Sequence, residues 1–219
     1  MIGTVWKPEE EILGALQNAK NIFVVGCGGC AKVARSGGQL EVDKMVKLLE
    51  SNGKNIIAAG VPERTCYIQF VRTFFDPKMS ELKECDAVLV LGCGGAVQVV
   101  RQATEEYGLV KHVYSGLNSV GHMDTIVPGE YFLEQCSECG DCVLNLTGAI
   151  CPVTKCSKGL LNGPCGGSKD GKCEVDPERD CAWVLIYERL KALGQLENVS
   201  TYWEPKDYSK AARPRKLVF

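Results

Sequence analysis

The sequence predicts an α/β chain in which a parallel sheet covered by helices precedes a small, loop-rich metal-binding module. Residues 1–130 alternate short β-branched runs with helical periods, which is typical of parallel sheets. Residues 131–197 are rich in cysteine, glycine and proline, and they regain a helical period only near their end. Residues 198–219 mix aromatic, proline and basic residues without a period, and we expect an extended tail there.

Four strands and three helices can be placed in the first domain. Each strand is a short, nearly all apolar run, as expected for strands buried on both faces. The runs are Ile22–Val25, Asn55–Ala59, Ala87–Leu91 and Val110–Ser115. The first helix begins after Pro8, and the second carries Val42, Met45, Val46 and Leu49 on one face. The third covers residues 96–107. This order is typical of Rossmann or flavodoxin-like domains, which bind ligands at the carboxyl ends of their strands.

A weak internal repeat marks that edge of the sheet. FVVGCGGCAKV from Phe23 and LVLGCGGAVQV from Leu89 share a strand, a glycine-rich turn and a helix start. Such turns can direct backbone N–H groups at a bound anion. The candidate cofactor-binding glycines are Gly26, Gly28, Gly29, Gly92, Gly94 and Gly95.

The same turns place cysteines at this edge, and Cys66 follows the second strand. Together they supply four thiols, the number of ligands that a [4Fe-4S] cluster needs. The predicted ligands are Cys27, Cys30, Cys66 and Cys93. Cys85, just before the third strand, is interpreted as a buried thiol outside this set.

A dinucleotide site is the alternative for the first turn, because Gly26, Gly28 and Ala31 match G-x-G-x-x-A after a strand. Such sites place an acidic residue at the end of the second strand to bind the ribose. Val61 and Pro62 stand there instead, and two cysteines lie inside the turn. These departures favour the metal site.

Eight of the 13 cysteines fall within the 46 residues from Cys136 to Cys181. The odd total and the length of the chain argue against a small disulfide scaffold. A C-x2-C-x2-C run followed by a Cys-Pro pair resembles the ferredoxin pattern, whereas structural zinc sites usually use two separated pairs. This run predicts a [4Fe-4S] site at Cys136, Cys139, Cys142 and Cys151.

The last four cysteines, Cys156, Cys165, Cys173 and Cys181, are spaced too loosely to identify one metal. A further [4Fe-4S] cluster is favoured because they follow the first run directly, and zinc is the alternative. The chain is thus expected to hold two or three clusters, with zinc in place of one C-terminal cluster as the other choice. The assignment of Cys151 or Cys156 to one site stays open, because in two-cluster ferredoxins the fourth cysteine serves the other cluster.

Composition excludes several classes of function. The net charge of −2 gives no attraction to nucleic acid, and no apolar run is long enough for membrane insertion. Reduced thiols fit a cytoplasmic location. His112 and His122 are the only histidines, and neither belongs to an acid–base constellation. We therefore predict no catalytic residue.

Four stretches carry a family resemblance: GCGGCAKVARSGG, KECDAVLVLGCGGAVQVV, CSECGDCVLNLTGAICPVTKC and NGPCGGSKDGKCEV, the last followed by CAWV. Through them the chain resembles the MetV-type small iron-sulfur subunits of the methylenetetrahydrofolate reductases of acetogens and related anaerobes, the methylenetetrahydrofolate reductase C-terminal family. The resemblance implies a non-catalytic oxidoreductase subunit in Wood–Ljungdahl one-carbon metabolism. It also implies a flavin-binding catalytic partner that holds FMN and the folate.

Two functions follow from these features. The first is electron transfer between an external electron-donating module and the FMN of the catalytic subunit. The second is a zinc-stapled scaffold that acts by interaction and has no redox role. A free-standing dehydrogenase lacks an acid–base constellation. The tail is expected to lie along a partner, because it carries Tyr202, Trp203 and Tyr208, and aromatic residues are enriched at interfaces.

Overall fold

The computed structural model describes residues 1–127 and 131–214, which divide into a first compact unit, Met1–Gly121, and a second that begins at His122. The first unit contains a short 3₁₀ turn at Asp76–Lys78. Its helices and strands are, in chain order, β1 (Ile2–Trp6), α1 (Glu9–Ala15), β2 (Asn21–Val25), α2 (Cys30–Val33), α3 (Gln39–Ser51), β3 (Asn55–Gly60), α4 (Ile68–Phe75), α5 (Met79–Glu84), β4 (Ala87–Val90), α6 (Gly94–Glu106), β5 (His112–Ser115) and β6 (Leu117–His122).

The central sheet has four parallel strands in the order β3-β2-β4-β5, which confirms the predicted parallel α/β class. Val25 pairs with Gly60 on one side and Val90 on the other, so three strands end level with one another. The chain order reverses between β2 and β4, and ligands of open α/β sheets bind at such a switch point. β1 and β6, which the sequence analysis did not place, form a separate two-stranded sheet.

Two apolar cores cover the two faces of the sheet. Successive residues of a strand point to opposite faces, so Val24 and Leu89 pack in one core with residues of α1 and α3. Phe23 and Val25 pack in the other core with residues of α4, α5 and α6. The rings of Phe23 and Phe75 meet edge to face, with their centroids 5.5 Å apart. Both cores consist mainly of aliphatic and aromatic side chains.

The second unit has little regular structure. Its elements are the antiparallel pair β7 (Thr125–Val127) and β8 (Tyr131–Leu133), the helices α7 (Pro152–Lys155) and α8 (Ala182–Ala192), and 3₁₀ turns at Leu144–Leu146, Leu196–Ser200 and Tyr208–Ala211. Its apolar cluster is built on α8, where Trp183, Ile186 and Leu190 are buried. Tyr187 and Leu193, also apolar or aromatic residues of this segment, are 42% and 44% exposed.

The C-terminal segment folds back onto its own unit. The backbone N–H of Trp203 donates to Asn162 Oδ1 at 2.8 Å, and Asn162 Nδ2 donates to the Trp203 carbonyl at 2.9 Å. Tyr202 and Tyr208 remain 71% and 65% exposed. Residues 215–219, the end of the predicted partner arm, lie outside the described residues. The described part of the tail is therefore held in place while its tyrosines face solvent.

No helix in residues 1–127 and 131–214 combines the length and apolar character that a membrane span requires.

Two leucines of α3 provide a matched test of the first core. Leu49 is fully buried, whereas Leu40 is 72% exposed. We expect Leu49→Ala to lower the free energy of unfolding by about 2–5 kcal/mol, because it leaves a cavity. Leu40→Ala should change it by less than about 0.5 kcal/mol. Denaturant unfolding of the two variants measures the difference, and equal losses would contradict this packing.

Candidate functional site

The first candidate site lies at the carboxyl ends of β2, β3 and β4. The loop after β2 is tied to the loop after β3 by three hydrogen bonds. Gly26 N–H donates to the Gly60 carbonyl at 2.8 Å, Gly28 N–H donates to the Pro62 carbonyl at 2.9 Å, and the buried Thr65 hydroxyl donates to the Gly26 carbonyl at 2.6 Å. These bonds fix the turn that carries Cys27 and Cys30 against the loop that carries Cys66.

The glycines of the first turn permit this close approach. A Cβ at Gly28 would lie 2.8 Å from the Glu63 carbonyl oxygen, and one at Gly26 would lie 2.6 Å from the Gly37 carbonyl oxygen. The amides of Gly26 and Gly28 already donate within the chain, so they are not free for the anion that we expected them to bind. In the second turn the Gly94 amide donates to Ser119 Oγ at 3.1 Å.

Gly29 and Gly95 have a different position, directly beside sulfur atoms. A Cβ at Gly29 would lie 3.6 Å from Cys27 Sγ, and one at Gly95 would lie 3.7 Å from Cys93 Sγ. Gly92 approaches the side chain of Cys27 in the same way, since its added Cβ would lie 3.7 Å from Cys27 Cβ. These small residues leave room around the thiols.

The four cysteines of this site lie near one another. Cys27, Cys30 and Cys66 line an open cavity of about 510 Å³. Cys93 is the residue that precedes α6, where the positive end of the helix dipole favours a thiolate. Burial raises the pKa of the Cys66 thiol, and the charges of Cys27, Cys93 and Cys30 raise it further. The structure therefore places three of the four predicted thiols in one cavity, with Cys93 close enough for its charge to affect Cys66.

The structure also bears on the dinucleotide alternative. The helix after the first turn, α2, has only four residues, whereas dinucleotide sites place the pyrophosphate at the start of a full helix. The backbone of Pro62 and Glu63 occupies the space over Gly28 that a pyrophosphate would need. Both features disfavour a nucleotide at this turn.

The second set of cysteines lies in the loop after β8. Cys136, Cys139, Cys142 and Cys151 line one cavity of about 160 Å³. Asp124 fixes the start of this loop, because its Oδ2 accepts the amides of Gln135 and Cys136 at 2.9 Å each. The amide of Gln135 is the main reason that the pKa of Asp124 lies below its usual value.

The two histidines have structural surroundings. His112 begins β5 and stacks on Tyr114, with ring centroids 6.0 Å apart. His122 is the last residue of β6. Its Nε2 lies 3.4 Å from Glu138 Oε1, which belongs to the loop of Cys136.

A lysine from the tail also lines this second cavity. Lys206 is only 8% exposed, and its ammonium donates to the carbonyl of Asp141. Burial by itself would raise the pKa of Cys139, but hydrogen bonding at Asp141 and the Lys206 charge outweigh it, and the pKa is lowered. The sequence analysis missed Lys206, because neither spacing nor a motif connects it with the cysteines.

The third set surrounds the start of α8. Cys156, Cys165, Cys173 and Cys181 line a cavity of only about 20 Å³. Backbone hydrogen bonds hold two of these residues: Cys173 N–H donates to Arg179 O at 2.9 Å, and Cys181 N–H donates to Gly171 O at 2.7 Å. The amide of Val175, followed by the hydroxyl of Ser157, lowers the pKa of Cys173.

The NGPCGG motif gains a structural explanation beside this third cavity. Gly163 lies so close to the indole ring of Trp183 that no side chain would fit. The Trp183 Nε1 donates to the Leu160 carbonyl at 3.0 Å. The motif thus packs the loop of Cys165 against the buried indole of α8.

All three sets fit soft metals by their chemistry, because thiolates select zinc and iron-sulfur clusters. Within residues 1–127 and 131–214, however, no three Cys, His, Asp or Glu side chains converge closely enough to hold one metal ion. The thiols line the cavities without meeting at a point. Cys85 belongs to none of the sets, since its thiol donates to the Leu82 carbonyl at 3.3 Å inside the core.

Comparison with known proteins gives one match. Residues 114–209 match the sequence model of a family described as "Methylene-tetrahydrofolate reductase C terminal". This range contains the second and third sets of cysteines and Lys206. No curated protein and no solved structure matches the chain.

Metal removal should affect the two units differently. The second unit has a small apolar cluster, so metal binding must offset much of the entropy of ordering its loops. After anaerobic treatment with a chelator, limited proteolysis should cut between Cys136 and Cys181 about tenfold faster or more. The sheet unit, with its two cores, serves as the internal control. Equal resistance before and after chelation would contradict this view.

Proposed function

Because residues 114–209 match the model of the methylene-tetrahydrofolate reductase C-terminal family, we propose that the chain is the iron-sulfur electron-transfer subunit of such a reductase. It would pass electrons between a donor module and the FMN of the catalytic subunit. The observation that carries this proposal is the gathering of thiols in separate cavities.

Two of the cavities suit clusters. Those of Cys27 and of Cys136 measure about 510 and 160 Å³, and each is lined by cysteines that would be the ligands. A [4Fe-4S] cluster, when bound, accepts and releases single electrons. The chain's own residues would hold the thiolates apart. Gly29 and Gly95 would leave space beside the sulfur atoms, because they carry no side chain. The start of α6 and Lys206 would supply positive charge.

The third cavity favours a single ion. Its volume of about 20 Å³ is little more than the roughly 10–15 Å³ that one water molecule needs. A four-coordinate zinc ion occupies little more space than that, whereas a cubane cluster needs far more. Trp183 and Cys181 belong to the apolar cluster of this unit, so an ion here would stabilise the fold. We therefore propose structural zinc at Cys156, Cys165, Cys173 and Cys181.

The same small cavity supports a second candidate function, in which the whole second unit is a zinc-stapled scaffold without a redox role. The two candidates differ in the metal bound by Cys136, Cys139, Cys142 and Cys151. Zinc there would leave the second unit without an electron carrier.

Metal analysis of anaerobically purified protein tests this choice. We expect about eight iron, eight sulfide and one zinc per chain, with broad absorbance around 400 nm that bleaches on reduction. About four iron and two zinc per chain would instead support the scaffold role for the second unit. Protein without iron and sulfide would refute the electron-transfer proposal.

Substitution of Cys93 tests the first site. Cys93→Ala should remove about four iron atoms per chain, because it deletes one ligand of the four. Cys85→Ala is the matched control, since that thiol lies in the same unit but is hydrogen-bonded in the core. Iron content that is unchanged in the Cys93 variant, or equally reduced in both variants, would speak against this ligand set.

The exposed tyrosines of the tail test the partner interface. Replacing both Tyr202 and Tyr208 with Ala should weaken co-purification with the flavin subunit about tenfold or more, because aromatic anchors dominate interface energies. Tyr187→Ala, a half-exposed tyrosine on α8, is the control. Point variants are needed because truncation after Glu197 would also remove Lys206 from the Cys136 cavity. Unchanged binding by the double variant would exclude these tyrosines from the interface.

A further inference from the structure

Lys206 is the most deeply buried charged side chain in the part of the chain that the structure describes, with 8% of its surface exposed. Lysine is rarely buried this far, because an ammonium that leaves water loses much solvation energy. Such a group normally has an anionic partner nearby. The question is which anion serves Lys206.

The protein around Lys206 supplies no carboxylate. Its ammonium donates to the main-chain carbonyl of Asp141, while the carboxylate of Asp141 lies 3.6 Å from the ammonium of Lys210. Among residues 1–127 and 131–214, no Asp or Glu oxygen lies within ion-pair distance of Lys206. A carbonyl dipole alone compensates a buried charge poorly.

The cavity beside Lys206 contains four groups that can become anionic. Cys136, Cys139, Cys142 and Cys151 line it together with the lysine. Four thiolates around either Zn²⁺ or a [4Fe-4S] core carry a net negative charge, because they outweigh the positive charge of the centre. The missing counter-charge is therefore the metal–thiolate group itself.

We infer that Lys206 is the charge-compensating residue of the Cys136 site, contributed by the tail to a metal centre whose ligands all lie earlier in the chain. This inference rests on the proposed function only in requiring that these cysteines bind a metal. Lys206 does not coordinate the metal. It would retain the anionic centre and, if that centre is a cluster, raise its reduction potential, since reduction adds negative charge.

The test compares four variants of the full chain, purified anaerobically. Lys206→Met removes the charge, Lys206→Gln removes it but keeps a donor for the Asp141 carbonyl, and Lys206→Arg keeps the charge. Lys210→Met removes a charge that also faces Asp141 but is 47% exposed and screened by water. A Cys142→Ala reference variant lacks one ligand of this site, so the metal that it fails to bind shows how much of the total bound metal belongs to the Cys136 site.

Two measurements are made on these variants. In a chelator challenge, Lys206→Met and Lys206→Gln should lose the metal of the Cys136 site about tenfold faster than the unaltered chain. Lys206→Arg and Lys210→Met should lose it at a rate within about threefold of that of the unaltered chain. In a reductive titration, the two neutral Lys206 variants should have a reduction potential about 59 mV lower than that of the unaltered chain, which is a tenfold change in the equilibrium constant for one electron.

The Gln variant separates charge from structure. If it keeps the proteolytic pattern of the unaltered chain but loses metal faster, the charge is the cause. If Lys206→Gln behaves like the unaltered chain, or if Lys210→Met changes as much as Lys206→Met, the inference is overturned and Lys206 only ties down the tail. Should the site hold zinc, the titration gives no signal but the chelator challenge still decides, so the inference about Lys206 is tested separately from the electron-transfer proposal.

Discussion

Repulsion between neighbouring thiolates is the constraint on which the arrangement of this chain depends. Each thiol that ionises makes the next one harder to ionise, and at Cys66 the charges of Cys27, Cys93 and Cys30 add to burial in raising the pKa. The fold places positive electrostatic potential next to several of the cysteines. Cys93 and Cys181 each precede a long helix, Cys173 accepts backbone amides, and Lys206 brings a full charge to Cys139.

Much of the first unit could be predicted, because the sequence patterns that specify its strands are local. Strands such as Ala87–Val90 are apolar runs that only a buried sheet explains, and a parallel topology then brings Cys27, Cys66 and Cys93 to one edge. The grouping of Cys136 with Cys142 followed from spacing alone. β1 and β6 were not predicted, since they pair across more than a hundred residues and lack the fully buried apolar pattern of β4. Lys206 was missed for the same reason: its role is set by tertiary contact.

The two glycine-rich turns have similar sequences but different structures. After β4, Gly94 opens a helix of 13 residues, and Cys93 stays at its positive end. After β2, the helix that starts at Cys30 stops after four residues, and the chain bends through Arg35 at a φ of +52°. Gly37 then returns close enough for its carbonyl to accept the Cys27 amide at 2.8 Å. Sequence similarity predicted two equivalent turns, whereas packing made one a helix start and the other a closed loop.

The position of Lys206 in the sequence sets an order of assembly. Synthesis proceeds from the amino terminus, and the sheet unit can fold on its own cores before the cysteine loops emerge. The ligands from Cys136 to Cys151 all leave the ribosome well before the residue that balances their charge. If these cysteines bind a metal, their cavity would lack the Lys206 ammonium until the tail lies against Asp141. Metal retention would then depend on a residue that is made after all four ligands.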